Sequence, residues 1–152
     1  MSLENGVYII STKEQGRHVG RFPVEDLSLR PKQLFALPQG IEAPKFIIEK
    51  NDKGHKIKAF GAPTGVWNNS LFAFLIELGE AQPEDWVITA QPQHGGNVYT
   101  VEKQDRSAGW IHDDSDDHRG FHIDVKPLIS TKSLPPQFLP TELFVFTRID
   151  RD

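Results

Sequence analysis

Proline and glycine punctuate this chain so evenly that it has no room for a long helix. Eleven prolines and twelve glycines are spread along 152 residues, and they interrupt every apolar run before it reaches a dozen positions. A proline inside a helix removes a hydrogen bond and clashes with the preceding turn, so segments cut this often end early. What survives between the breaks is a series of short β-branched and aromatic runs, the pattern of an all-β sandwich or barrel.

Those runs repeat. Residues 7–10, 56–60 and 98–101 each follow a turn holding Asn or Gly. Second runs come after a short polar loop at 18–21, 64–67 and 109–112, third runs stand at 33–37, 71–76 and 121–125, and fourth runs close the units at 45–49, 85–89 and 143–147. The spacing is uneven: Phe46 and Trp86 lie 40 positions apart, Trp86 and Phe144 58. The excess comes from two insert-like segments of the third unit, the acidic 113–120 and the proline-rich 130–140. Repeats of about 40 to 50 residues suggest propeller blades or a trefoil, and a propeller takes at least four blades. The expected fold is therefore an all-β β-trefoil, with three four-stranded units forming a six-stranded barrel and a hairpin cap. One domain covers 1–152, its units running roughly 1–53, 54–95 and 96–152. Phe46, Trp86 and Phe144, at equivalent places, would form the floor of one shared core.

Composition excludes several classes. The length is close to the modal size of a single domain and can bury a core without staples. There is no cysteine, hence no disulfide and no thiolate metal site. A net charge of −4 gives no reason to expect nucleic acid. The longest apolar run, 71–76, is far too short to span a membrane as a helix. Residues 1–6 are polar and carry no signal-peptide pattern, so cytoplasmic residence or unconventional export is expected. A monomer without cofactor or metal completes the expectation.

One segment looks built for presentation rather than burial. Val24, Glu25, Asp26, Leu27, Ser28, Leu29, Arg30, Pro31 and Lys32 mix acids, apolar groups, a serine and bases without helical or strand period. The segment lies between the strand candidates 17–21 and 33–37, and Pro23 and Pro31 fix φ at its two ends. Arg30, before proline, is biased toward extended backbone. A stiff, extended loop of mixed character is what a protease cleft accepts.

The sequence also resembles a known family. Ser2-Leu3-Glu4-Asn5-Gly6-x-Tyr8, Glu25-Asp26-x-Ser28-Leu29-x-Pro31-Lys32, Gly61-Ala62-Pro63-Thr64, Phe72-Ala73-x-Leu75-Ile76 and Pro92-x-His94-Gly95-x-Asn97-x-Tyr99 are similar, in matching order, to the mushroom serine protease inhibitors. That basidiomycete family includes the Lentinus and Coprinopsis trypsin inhibitors; the similarity weakens after Trp110. The resemblance implies a β-trefoil that inhibits a trypsin- or chymotrypsin-like serine protease in substrate-like fashion, is not an enzyme, and serves fungal defence in the fruiting body. It also implies that the loop between the second and third strands does the inhibiting.

Within that loop the resemblance implies that Leu27 is offered to the primary specificity pocket, where relatives have a polar or basic residue. Trypsin's pocket holds a buried aspartate, which an apolar side chain would leave unpaired at a cost of several kcal/mol. Leu27 therefore points to a chymotrypsin-, elastase- or subtilisin-like target. Arg30 carries the charge trypsin wants, but Pro31 follows it, and a proline just past the pocket residue removes an N–H and obstructs the serine. Leu27 is the stronger candidate, with Arg30 as a secondary contact and Asp26 and Ser28 supporting the loop by side-chain to backbone bonds.

Other residues invite sharper readings than they support. His112, Asp113, Asp114, Asp116, Asp117, His118 and His122 lack any ligand spacing and read as a solvated acidic loop. Ser107, His112 and Asp114 could be written as a triad, but no nucleophile elbow surrounds the serine. Asn68-Asn69-Ser70 is a formal glycosylation sequon. Because trefoil inhibitors of other protease classes resemble this family in fold, Asn68 or Asn69 could engage an asparaginyl endopeptidase. A cysteine or asparaginyl protease inhibitor using another loop is thus one alternative. A carbohydrate-binding trefoil lectin is the other, and Trp67, Trp86 and Trp110 lack the Gln-x-Trp repeat it would need.

Overall fold

A computed structural model describes residues 3–21, 31–38, 40, 42–59, 61–75, 83–112 and 121–149. Period-two burial sets the strands: in Gly6–Thr12, Tyr8, Ile10 and Thr12 are buried while Val7, Ile9 and Ser11 are half-exposed. The strands are β1 (Gly6–Thr12), β2 (Val19–Gly20), β3 (Lys32–Gln33), β4 (Phe35–Ala36), β5 (Phe46–Asn51), β6 (Gly54–Ala59), β7 (Ala62–Trp67), β8 (Ser70–Ala73), β9 (Trp86–Ala90), β10 (Val98–Lys103), β11 (Gly109–His112), β12 (Phe121–Lys126) and β13 (Phe144–Arg148). Two single 3-10 turns, Pro92–His94 and Pro140–Glu142, are the helical elements among the described residues.

All pairings between these strands are antiparallel. They run β12–β11–β10–β13–β1–β5–β6–β7–β8, and β8 returns to β12 through Ser70 and Asp124. The fold is thus all-β with a closed nine-strand barrel, which removes the open edges that would otherwise recruit other chains. Inside this circuit β9 pairs with both β10 and β6, along residues 86–90 on one side and at His55 with Trp86 on the other. At one end the third-run strands meet each other. β3 pairs with β8 (Lys32 with Ala73), β8 with β12, and β12 with β4 (Phe121 with Ala36).

The core draws on every strand except β3. Phe46, Trp86 and Phe144 are fully buried in one cluster, as their equivalent positions in the repeat suggest. Trp110 stands between two of them, its ring edge-on to Trp86 and to Phe144, with centroids 5.6 Å apart in each pair. Each fully buried large apolar side chain contributes roughly 1.5–3 kcal/mol, and edge-to-face pairs add about 0.5–1.5 kcal/mol. The Trp86 indole N–H donates to Thr64 Oγ1 (2.9 Å), which donates to the Ile57 carbonyl (2.7 Å), so these two groups are satisfied, whereas the buried Trp110 indole N–H has no hydrogen-bond partner among the described residues. Gly54, at φ +144°, closes the β5–β6 hairpin with its Cα against the Trp86 backbone. A Cβ there would lie 2.3 Å from the Trp86 carbonyl oxygen.

Three of the expected strand runs are shortened or broken. The run 18–21 pairs only over Val19–Gly20. The run 33–37 breaks at Leu34 because the backbone switches partners: Lys32 and Gln33 pair with β8, whereas Phe35 and Ala36 pair with β2 and β12. Leu34 itself is fully buried, and its N–H donates to the Leu71 carbonyl at 2.9 Å. The run 71–76 leaves the sheet after Ala73, and Ile76 lies outside the described residues.

Candidate functional site

The segment singled out above lies between β2 and β3 in the chain. Residues 22–30, with Pro23, Glu25, Asp26, Leu27, Ser28, Leu29 and Arg30, lie outside the described residues; Pro31 is described and half-buried. The stems on either side are well defined. Val19 is fully buried and pairs with Ala36, while Gly20 pairs with Phe35 and packs under Pro44 so closely that a Cβ would meet Pro44 Cγ at 2.3 Å. Arg21 then turns inward: it is 8 % exposed, and its Nη1 donates to the Ala59 carbonyl at 3.1 Å. On the returning side Lys32 is 7 % exposed and pairs with Ala73.

This burial of both flanking cations was not readable from the sequence. Arg and Lys are rarely buried this far unless partnered, and their long apolar stems let them anchor a backbone from inside. With both of them buried, Arg30 is the remaining cation of residues 21–32.

The structure separates the residues of the metal and triad readings. His112 is buried on β11 and His122 is half-buried on β12, its ring edge-on to Phe35 at 5.4 Å. Asp113, Asp114, Asp116, Asp117 and His118 lie outside the described residues, among which there is no group of three potential metal ligands. Ser107 does not face a histidine. Its hydroxyl donates to Asp105 Oδ1 at 2.7 Å and its N–H at 2.9 Å, and these two bonds hold the Asp105 carboxyl below its usual range.

The tryptophans divide. Trp86 and Trp110 belong to the core, whereas Trp67 is 42 % exposed and leans edge-on against Phe72 beside the β7–β8 turn. Asn68 and Asn69 form the exposed tip of that turn with φ of 54° and 60°, the conformation Asn tolerates best among non-glycine residues.

The proline-rich segment 130–140, insert-like in the sequence, is tied down by side-chain bonds to its backbone over residues 135–139. Its sequence signals are Pro135-Pro136 and the hydroxyls of Thr131 and Ser133, none of which has a period to detect.

Comparison with known proteins identifies the scaffold. The family model described as Peptidase inhibitor I66 matches residues 1–148. The chain belongs to this family. It is 34 % identical to a serine protease inhibitor of Lentinula edodes over 151 residues, covering 98 % of this chain and all of that one. A proteinase inhibitor from Coprinopsis cinerea superimposes with a TM-score of 0.87 at 37 % identity, covering 97 % of this chain and all of that one. A designed threefold-symmetric protein, ThreeFoil, shares the fold alone, with a TM-score of 0.65 at 11 % identity over 95 % of this chain and 99 % of that one. The resemblance read from the motifs therefore holds. As a member of the peptidase inhibitor I66 family, the protein is one that proteases bind and is not itself an enzyme.

Proposed function

We propose that this protein inhibits a serine protease in substrate-like fashion through residues 24–32, with Leu27 in the enzyme's primary specificity pocket. The observation that carries this reading is the anchoring of both stems through buried Arg21 and Lys32, each bonded into a different part of the barrel. A loop whose ends are fixed in the sheet and whose φ is restricted at Pro23 and Pro31 loses little entropy on docking, so more of its contact energy appears as affinity. The protease serine approaches the Leu27 carbonyl while the oxyanion-hole amides hold its oxygen. An apolar pocket residue favours a chymotrypsin-, elastase- or subtilisin-like enzyme over a trypsin-like one, with Arg30 touching the enzyme outside the pocket.

We further propose that the scaffold is a single-domain, monomeric β-trefoil. In support, the pairings β1–β5, β5–β6, β6–β9, β9–β10, β10–β13 and β13–β1 use the first and fourth strand of each expected unit and return to their start. The likeness to a threefold-symmetric design agrees.

The test is titration of chymotrypsin and subtilisin with the full chain and with Leu27→Arg. The intact chain is expected to abolish turnover of at least one of them at stoichiometric amounts, and Leu27→Arg to lose that inhibition. Unchanged inhibition by Leu27→Arg contradicts the role of Leu27.

A further inference from the structure

We infer that residues 130–138 form a second protease-binding loop, which presents Lys132 to a serine protease whose specificity pocket carries a carboxylate. This site stands on its own geometry and does not rest on the reading of residues 24–32.

The segment is a closed, exposed turn. Ser130 and Phe138 form an antiparallel bridge at its base, and the Thr131 N–H donates to the Gln137 carbonyl at 2.9 Å. Inside it runs a chain of hydroxyl bonds. The Gln137 N–H donates to Thr131 Oγ1 (2.9 Å), Thr131 Oγ1 meets Ser133 Oγ (2.6 Å), and Ser133 Oγ donates to the Pro135 carbonyl (2.9 Å). Each hydroxyl accepts from one neighbour and donates to the next, an arrangement in which the bonds polarise and strengthen one another. Pro135 and Pro136 hold φ on the far side.

The base is held from beneath as firmly. The carboxylate of Glu142, 1 % exposed, accepts from the Leu139 N–H at 2.9 Å and, through its other oxygen, from the Ile129 N–H. One buried group thus clamps the residues just outside both ends of the turn. Gln93 Nε2 donates to the Pro136 carbonyl at 2.6 Å, and the Phe138 N–H donates to His94 Nε2 at 3.1 Å.

What this rigid frame offers to solvent is Lys132, Ser133 and Leu134, the last 97 % exposed. An unsupported surface loop would leave its backbone groups to water and its apolar side chains folded back. Here the bonds straddle one peptide, Lys132–Ser133: Thr131 before it is tied to Ser133 and Gln137 after it. Lys132 makes no ion pair among the described residues, so its ammonium is available. It matches the aspartate at the base of a trypsin-like pocket. Ser133, unlike the proline after Leu134, has an N–H on the leaving side of the bond. Leu134 cannot be the pocket residue for that reason, and with Ile129, 65 % exposed, it supplies apolar contact beside the pocket.

The bonds across Lys132–Ser133 also explain how such a loop resists turnover. When the enzyme's serine oxygen adds to the Lys132 carbonyl carbon, the C–N bond breaks and the serine proton passes through the enzyme's histidine to the Ser133 nitrogen. The new Ser133 amine stays in place because the Ser133 hydroxyl is bonded to Thr131 Oγ1 and to the Pro135 carbonyl, so it attacks the acyl group, restores the peptide and returns the proton to the serine.

The test uses the full chain against trypsin and chymotrypsin. Lys132→Ala is expected to weaken trypsin inhibition by roughly 100-fold or more, the size of an interface hot spot, and to leave chymotrypsin inhibition unchanged. Lys132 is exposed, so the variant keeps the fold. Thr131→Val, which removes the linking hydroxyl but keeps the shape, is expected to be cut at Lys132–Ser133 on mass spectrometry while the unaltered chain stays whole. Wild-type trypsin inhibition in Lys132→Ala, or no trypsin inhibition by the unaltered chain, overturns the proposal. Loss of chymotrypsin inhibition in Leu27→Arg with trypsin inhibition intact would leave it standing, so the two loops fail separately.

Discussion

The two proposed loops are held by opposite means. The loop between β2 and β3 is anchored at its stems, by cations folded into the barrel, and is restricted at its ends by Pro23 and Pro31. The 130–138 loop is braced from within by hydroxyls and from beneath by the carboxylate of Glu142. The side chains proposed for the pocket also differ, an apolar Leu27 in one and a cationic Lys132 in the other. A chain without cysteine can thus brace a surface turn by a small set of satisfied polar bonds, as at 130–138.

The largest expected effect separates the two pockets. In a Lys132→Ala background, Leu27→Arg should move inhibition from chymotrypsin to trypsin, each by roughly 100-fold, the scale of one hot-spot side chain. Adding Arg30→Ala should change the result by less than about threefold, in line with a contact outside the pocket. If the Arg30→Ala change is the larger, Arg30 and not Leu27 is the pocket residue.

Next comes the clamp. Glu142→Ala leaves the Ile129 and Leu139 N–H groups without their acceptor, a cost of about 2–3 kcal/mol. Trypsin inhibition should fall by roughly tenfold or more, with chymotrypsin inhibition within about twofold. Equal loss at both enzymes would show that Glu142 supports the whole barrel rather than one loop.

A substitution in the barrel itself should not discriminate between the loops. Gly54→Ala places a Cβ against the Trp86 carbonyl at a positive φ, which costs roughly 2–4 kcal/mol. Thermal unfolding should drop by several degrees while both inhibition constants, measured well below the transition, hold. The smallest effect concerns Glu102. Burial first, and then the charge of Glu142, raise its carboxyl above the usual range, with Arg106 opposing. A raised acid pKa means that the folded state disfavours the ionised form, so stability is lost as pH rises through that range. Glu102→Gln should therefore stabilise the protein at neutral pH, by under about 1 kcal/mol because the group is partly hydrated. The gain should shrink as pH falls through the carboxyl range, as denaturant melts at both pH values would show.

The sequence revealed what has a period. Short alternating runs marked the strands, and the matching places of Phe46, Trp86 and Phe144 marked residues that turn out fully buried together. It could not reveal where one run divides between two partners, as at Leu34, because the switch depends on β8 and β12 arriving from far along the chain. Nor could it show that Arg21 and Lys32 face inward, since nothing local distinguishes a buried cation from a solvated one. The internal order of the 130–138 loop stayed hidden for a different reason. Its order comes from Thr131, Ser133 and Glu142 bonding to backbone, and such bonds leave only scattered hydroxyls and prolines in the sequence.

Taken together, the two proposals place two separate protease sites on one inhibitor-family barrel. The direct measurement is a titration of trypsin and chymotrypsin with four proteins: the unaltered chain, Leu27→Ala, Lys132→Ala and the double variant. Each single variant should lose one inhibition and keep the other, and the double variant should lose both. A double variant that still inhibits either enzyme at stoichiometric amounts, or a single variant that loses both, would contradict it.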